Sequence, residues 1–121
     1  MKHNFKFKKY IGDIGYYSML DIEIDTLSNG MLQYTFDDEF VDEEWRTAAL
    51  FAVEYIYQHF KKDTQKGFSL NIRRLHTMIG DTASIVVVYA VVSCVAEALN
   101  YETGKKLVYF DEENGNFVFK K

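Results

Sequence analysis

The densest set of chemically active side chains is an acidic segment with six carboxylates in eight residues. Its members are Asp37, Asp38, Glu39, Asp42, Glu43 and Glu44. Such a cluster speeds association with a positive surface, which points to a binding site for a basic protein. A weak cation site is another interpretation, although the Asp-x-Asp-x-Asp-Gly…Glu spacing of a calcium loop is absent. The ordinary structural interpretation is a polar turn and a helix start, where the helix dipole favours negative charge.

A second candidate site combines Arg73, Arg74 and His76 at the predicted end of a strand. Cationic side chains neutralise phosphates, so this set is a candidate RNA-binding site. A solvated strand terminus is the alternative, because polar residues beside loops are common. An RNA-binding function further predicts that other cations converge with this set on one face of the protein, namely Lys2, Lys6, Lys8, Lys9, Lys120 and Lys121.

The sequence has none of the local patterns that mark a metal site or a catalytic nucleophile. His3, His59 and His76 lack the HxxxH and HExxH spacings, and no GxSxG motif occurs. Cys94 lies in an apolar run, where burial disfavours the reactive thiolate. A buried Glu97 carboxylate would need a partner, but a helix-end residue facing water is the simpler interpretation. We therefore predict a protein that is not an enzyme and needs no cofactor or metal.

The composition favours one soluble domain and disfavours a general nucleic-acid binder. The chain has 121 residues, of which 48% are hydrophobic, and 14 Lys and Arg against 18 Asp and Glu give a net charge of −4. Domains commonly have about 100–150 residues. The apolar run Ile85 to Ala96 is short of the roughly 20 residues that span a membrane. A lone cysteine and no recognisable secretory signal predict a cytoplasmic protein.

The first third of the sequence predicts strands. Residues 1–13 alternate lysines and aromatics, which fits an edge strand or a loose basic arm. Residues 16–25 and 31–36 alternate apolar and polar side chains with the period of a strand. Asn29-Gly30 between them is a strong hairpin signal, so we predict that these two strands pair antiparallel.

The rest of the sequence predicts two helices, a strand between them and a final hairpin. Residues 43–62 carry an apolar stripe at helical spacing, with Asp42 as the N-cap. Residues 68–76 predict a strand whose alternation changes phase at Leu75, and residues 83–99 predict a buried helix capped by Asp81 or Thr82. Residues 106–110 and 117–120 predict the last hairpin.

The predicted order β-β-α-β-α-β-β indicates an α+β two-layer sandwich. Its sheet is expected to be mostly antiparallel, with both helices on one face. The first helix is long enough for the strands that it connects to pair in parallel.

Two segments carry a resemblance to a known family. The segments are 15–60, a strand, a hairpin and an Ala-rich helix, and 67–99, which contains GFSLNIRRLH and GDTASIVVVYAVVSCVAEAL. Residues 15–100 resemble the fourth domain of elongation factor G and related ribosome-associated translational GTPases, with Asp81-Thr82, Ala90 and Glu97-Ala98 at matching places. The resemblance implies the fold of that domain. The sequence departs from the family in lacking a P-loop, and the loop at 77–80 is shorter than the family's.

These observations leave two functional expectations. The first is a small binding protein, of the inhibitor or immunity type, that uses the acidic segment to bind a basic protein. The alternative, implied by the resemblance, is a stand-alone domain that contacts ribosomal RNA through Arg73, Arg74 and His76. Nucleic acid is the less favoured partner, no membrane partner is expected, and a homodimer formed through a sheet edge is the remaining interaction.

Overall fold

Strands and helices follow one another much as the hydrophobic periodicity predicts. The structure is a computed structural model, and it describes residues 1–11, 14–39, 41–78 and 83–119. The elements in these ranges are β1 (Lys2–Ile11), β2 (Ile14–Leu27), β3 (Leu32–Phe36), α1 (Glu43–Thr64), β4 (Gly67–His76), α2 (Ser84–Ala98), β5 (Val108–Asp111) and β6 (Asn116–Phe119). The α+β class, with two helices and a mostly antiparallel sheet, is confirmed. Of the two alternatives for the start of the chain, Lys2–Ile11 is a strand.

The main sheet has the strand order β1-β2-β4-β3. β2 pairs antiparallel with both β1 and β4, whereas β3 pairs parallel with β4. The predicted antiparallel hairpin between β2 and β3 is therefore wrong. The turn itself forms, with Gly30 at a φ of +73°, but β4 lies between the two strands that the turn joins. α1 provides the crossover that a parallel β3–β4 pair requires.

A β-bulge interrupts the pairing of β2 with β4. Asp21 lies opposite Arg74 and Ile22 opposite Ile72, so Arg73 is the additional residue on β4. The bulge makes both arginines exposed and returns Leu75 to the buried face. This is the change of phase that the sequence shows at Leu75, and extra residues of this kind often redirect side chains near functional sites.

Both helices pack against one face of the main sheet. β2 and β4 turn a set of almost fully buried side chains toward them, namely Leu20, Ile22, Ile24, Phe68, Leu70 and Ile72. α2 is buried along most of its length, as an almost entirely apolar helix must be. Neither helix in the described ranges has both the length and the apolar character that a membrane span requires. No helix of the described ranges covers the opposite face of the sheet, which carries polar side chains such as Glu23, Asn71 and Arg74.

The helix starts differ in detail from the prediction. α1 begins at Glu43, directly after Asp42 in the N-cap position, but the Asp42 carboxylate makes no capping hydrogen bond. α2 has Ala83 in the N-cap position, which offers no side-chain oxygen. Asp81 and Thr82, the predicted caps, lie outside the described residues.

The predicted C-terminal hairpin forms a separate two-stranded sheet, β5 with β6. Aromatic rings hold it against β1 and α2. Phe7 lies 5.9 Å from Phe110 and 6.0 Å from Phe117, and the Tyr89 ring lies 5.2 Å from Phe117, all measured between ring centroids. The contacts explain why four-residue strands can persist as a pair outside the main sheet.

Alkaline pH is expected to lower the stability of the protein through the half-buried Tyr34 of β3. Burial raises the pKa of Tyr34 from 10.0 to about 12, although the nearby Arg46 charge opposes the change. Because the folded state holds this proton more tightly, the stabilisation is complete below pH 10.0 and is lost as pH rises toward 12. Urea unfolding between those pH values should show falling stability, with a shallower fall in Tyr34→Phe. An equally steep fall in Tyr34→Phe and in the exposed control Tyr109→Phe would contradict this.

Candidate functional site

The acidic segment forms the connection between β3 and α1, and its first two carboxylates are tied to β4. The Asp37 backbone N–H donates to the Ile72 carbonyl at 2.9 Å, and its carboxylate accepts a hydrogen bond from the Asn71 amide at 2.8 Å. The Asp38 carboxylate accepts a hydrogen bond from the Leu75 N–H at 3.1 Å, directly after the bulge. These two residues therefore help to hold the connection on the end of β4.

The other four members of the acidic segment are exposed. Glu39 precedes α1, while Asp42 and Glu43 lie at its start, where the positive end of the helix dipole favours them. Glu44 accepts a hydrogen bond from the Ser84 hydroxyl at 3.3 Å, which joins the first turns of the two helices. Glu39, Asp42 and Glu43 are thus the members best placed to meet a partner.

Arg73, Arg74 and His76 lie at the end of β4 and are all exposed. The Arg73 guanidinium donates to the Glu23 carboxylate of β2 at 2.8 Å. Arg74 forms no ion pair within the described part of the chain. The bulge is what brings two consecutive arginines to the same exposed face.

The two candidate sites, treated as alternatives from sequence, border one groove. This groove has a volume of about 640 Å³, and its lining residues are Asp37, Asp38, Glu39, Val41, Arg73, Arg74, Leu75, His76 and Thr77. Parallel pairing of β3 with β4 places Phe36 opposite Ile72, so the residues that follow β3 lie beside the last residues of β4. The groove has one acidic wall and one basic wall.

Most of the acidic segment keeps its negative charge without an ion pair to the described residues. Leaving Asp38 aside, its members form no ion pair with any residue in the described ranges. Hydrogen bonds to neutral Asn71 and Ser84 leave the charge in place. The segment therefore projects negative potential into solvent, which raises the encounter rate with cationic surfaces.

The uncovered face of the main sheet collects several of the cations expected to converge in an RNA-binding protein. Strand alternation places Lys2, Lys6 and Lys8 on this face, together with Arg73 and Arg74. A second cavity of about 630 Å³ there is bordered by Lys2, Asn4, Asp21, Asp37 and both arginines. Its acidic members make the face mixed in charge.

One of the expected cations does not join that face, and two others are not described. Lys9 lies on the other side of β1, where it forms an ion pair with Glu112 and its ammonium lies 5.8 Å from the centre of the Phe110 ring. Lys120 and Lys121 lie outside the described residues. The lysines of β1 therefore divide between the two faces according to strand alternation.

The other two candidate side chains, Glu97 and Cys94, have contacts and burial that are explained by the fold. Glu97 is exposed, and its carboxylate lies 3.1 Å from the His3 imidazole. Cys94 is fully buried, and burial raises the pKa of its thiol, with the Glu97 and Asp21 charges acting in the same direction. Across the described ranges, no three His, Cys, Asp or Glu side chains are grouped so that they could hold a metal ion.

Sequence reasoning missed an aromatic stripe on α1. Phe51, Tyr55 and His59 recur every four residues, and the Phe51 and Tyr55 rings stack with centroids 6.2 Å apart. Both rings lie against Phe119 of β6, and Phe51 remains 53% exposed. The helical spacing of these three residues is visible in the sequence. The prediction for α1 rests instead on the broader apolar stripe beside them.

No protein-family model and no curated protein matches the chain. A crystal structure of a Thermus thermophilus protein of the elongation factor G-like family matches it in fold, with a TM-score of 0.56 and 15% sequence identity. The match covers 74% of this chain and 14% of that chain. The resemblance to the fourth domain of elongation factor G and its relatives is thereby confirmed for the fold.

Proposed function

We propose that the protein is a small non-enzymatic binding protein whose acidic segment binds a basic protein partner, in the manner of an inhibitor or immunity protein. The observation that supports this most is that Asp37, Glu39, Asp42, Glu43 and Glu44, at the start of α1 and just before it, form no ion pair with any described residue. The hydrogen bonds from Asp37 to β4 hold the beginning of the connection, which limits the conformational entropy that binding would cost. The sequence has one cysteine and so can form no internal disulfide, which supports a cytoplasmic location for the protein and its partner.

The partner surface that fits the acidic wall of the groove is a cationic one. Glu39, Asp42 and Glu43 would face its lysines or arginines, and the wall formed by Arg73 and Arg74 would repel cations placed too far along the groove. Exposed charge pairs of this kind govern the association rate and its salt dependence more than the final affinity. We therefore expect rapid association that weakens as ionic strength rises.

Reversal of charge in the acidic segment is the direct test. Tagged protein would be used to capture partners from lysate at low and high salt, with nuclease treatment before identification. Glu39→Lys with Glu43→Lys should reduce capture of a basic protein about tenfold at low salt, because two attractive charge pairs become repulsive. Glu54→Lys with Glu113→Lys is the matched control, since both residues are exposed and lie outside the groove.

Capture of a nuclease-resistant basic protein that only the first variant loses would support the proposal. Equal losses in the two variants would contradict it, because the effect would then follow net charge alone. Material that disappears after nuclease treatment would instead favour the second candidate function.

The second candidate function is contact with ribosomal RNA through Arg73, Arg74 and His76. It is favoured by the register that places Lys2, Lys6 and Lys8 on the same face as the arginines. Asp21, Glu23 and Asp37 on that face oppose it, and so does the engagement of Arg73 by Glu23. Binding of a labelled RNA oligonucleotide with a salt slope of several units, reduced in Arg74→Glu, would establish this function.

A further inference from the structure

The outer edge of β1 is long, and none of the other strands in the described ranges pairs with it. β1 runs for 10 residues and pairs with β2 along its whole length, but the strand order leaves its other side without a neighbour among the described strands. Proteins usually shorten, bulge or cover an edge of this length, because its unpaired backbone groups attract another strand. The edge opposite, β3, has only 5 residues.

The pairing with β2 defines which backbone groups of β1 point outward. The Ile24 N–H donates to the Met1 carbonyl at 2.8 Å, so residues 1 and 24 form a hydrogen-bonded pair of the antiparallel ladder. Hydrogen-bonded pairs alternate along such a ladder, so odd-numbered residues of β1 bond to β2. The even-numbered residues therefore present their N–H and C=O groups to the outer edge, namely Lys2, Asn4, Lys6, Lys8 and Tyr10.

The side chains of the same residues define which strand would fit beside them. Lys2, Asn4, Lys6 and Lys8 are exposed on the uncovered face, while Phe5 and Phe7 lie on the helix side. On the inner side, β2 places acids opposite the first two of these residues, since Glu23 lies opposite Lys2 and Asp21 accepts a hydrogen bond from Asn4. Opposite charges on directly facing residues stabilise a strand pair, and like charges destabilise it.

A second copy of β1 fits this edge poorly. An antiparallel pair centred on Lys6 places two Lys6 side chains directly opposite each other, and centring on Phe5 places Lys2 opposite Lys8 twice. Centring on Phe7 brings Lys6 opposite Lys8. Each of these registers faces lysine with lysine, so the edge disfavours self-pairing.

We propose that the outer edge of β1 accepts an extended acidic segment of a partner protein as an additional strand. The even-numbered residues supply the backbone ladder, and Lys2, Lys6 and Lys8 select acidic side chains at alternate positions of the incoming strand. The residues between those acids would be apolar, because they would lie beside Phe5 and Phe7. Backbone bonds then give affinity, and the alternation gives specificity.

The probe is a fluorescein-labelled peptide of alternating valine and glutamate, titrated with the full chain and followed by anisotropy. A peptide of the same composition, with its valines and glutamates in two separate blocks, is the control for charge alone. Asn4→Pro removes one outward N–H without touching the ladder to β2, and Asn4→Ala removes the same side chain but keeps that N–H. We expect saturable binding of the alternating peptide only, weakened about fivefold or more in Asn4→Pro and less than about twofold in Asn4→Ala.

Amide hydrogen exchange measured by NMR gives a second readout that needs no variant. On addition of the peptide, the N–H groups of the even-numbered residues of β1 should gain protection, while those of the odd-numbered residues stay as protected as before. Equal binding of both peptides, or no change in this alternation, would overturn the proposal. A dimer in sedimentation that Asn4→Pro dissociates would overturn it in favour of a second copy of the chain.

Discussion

Substitution of Gly67 by alanine is expected to destabilise the protein by about 3 kcal/mol or more. Gly67 opens β4 and is buried where the chain passes Met31. A Cβ at position 67 would overlap the Met31 carbonyl oxygen and lie only 2.6 Å from the Met31 carbonyl carbon and nitrogen. Since these are backbone atoms and Phe68 donates a hydrogen bond to the same carbonyl, rotation of a side chain cannot relieve the overlap.

Gly115→Ala is the matched control for this substitution. Gly115 lies in the turn of the last hairpin with a φ of +66°, and a Cβ there would meet no atom within 4 Å. Its cost is therefore limited to backbone strain of about 1 kcal/mol. Urea unfolding followed by circular dichroism measures both free energies. If the two substitutions lower the free energy of unfolding equally, the backbone at Met31 can move away from β4 without loss of stability.

The Cys94 thiol is expected to react at least about 10³-fold more slowly in the folded protein than in the urea-unfolded chain. It is the single cysteine of the sequence and is fully buried in α2. Burial raises the pKa of the thiol, so very little thiolate exists even at alkaline pH. Reaction with iodoacetamide must therefore wait for the two layers to separate.

An exposed thiol on the same fold calibrates this measurement. Thr47→Cys in a Cys94→Ala background places a cysteine on the exposed side of α1. That thiol should react close to the rate of the unfolded chain. If Cys94 in the native protein reacts as fast, the packing of α2 against the sheet opens far more readily than its burial implies.

The sequence predicted the strands more reliably than their partners. Asn29-Gly30 indicates a turn, and the turn exists, but a two-residue signal says nothing about a strand that arrives later in the chain. β4 lies between β2 and β3 because its apolar side chains on one face can pack beside those of both neighbours. Such long-range competition is invisible to local periodicity.

In the candidate site, too, the residues could be predicted from the sequence but their contacts could not. Sequence spacing identified the acidic segment and the arginine pair, and the phase change at Leu75 marked the bulge. Sequence spacing could not show that Asp38 accepts a hydrogen bond from the Leu75 N–H, since that contact depends on the parallel pairing of β3 with β4. Two sites that compete as interpretations of the sequence are therefore neighbours in space.

The central position of β4 also determines when the sheet can be completed during folding. β1 and β2 are joined by a short connection, whereas residues of β2 and β4 that pair are 40 to 57 positions apart in the chain. Closing that loop is entropically costly, so contacts within the first hairpin precede those of the completed sheet. Until β4 and the helices arrive, the apolar face formed by Leu20, Ile22 and Ile24 stays in water. A nascent chain halted before β4 is therefore expected to be prone to aggregation and to bind chaperones.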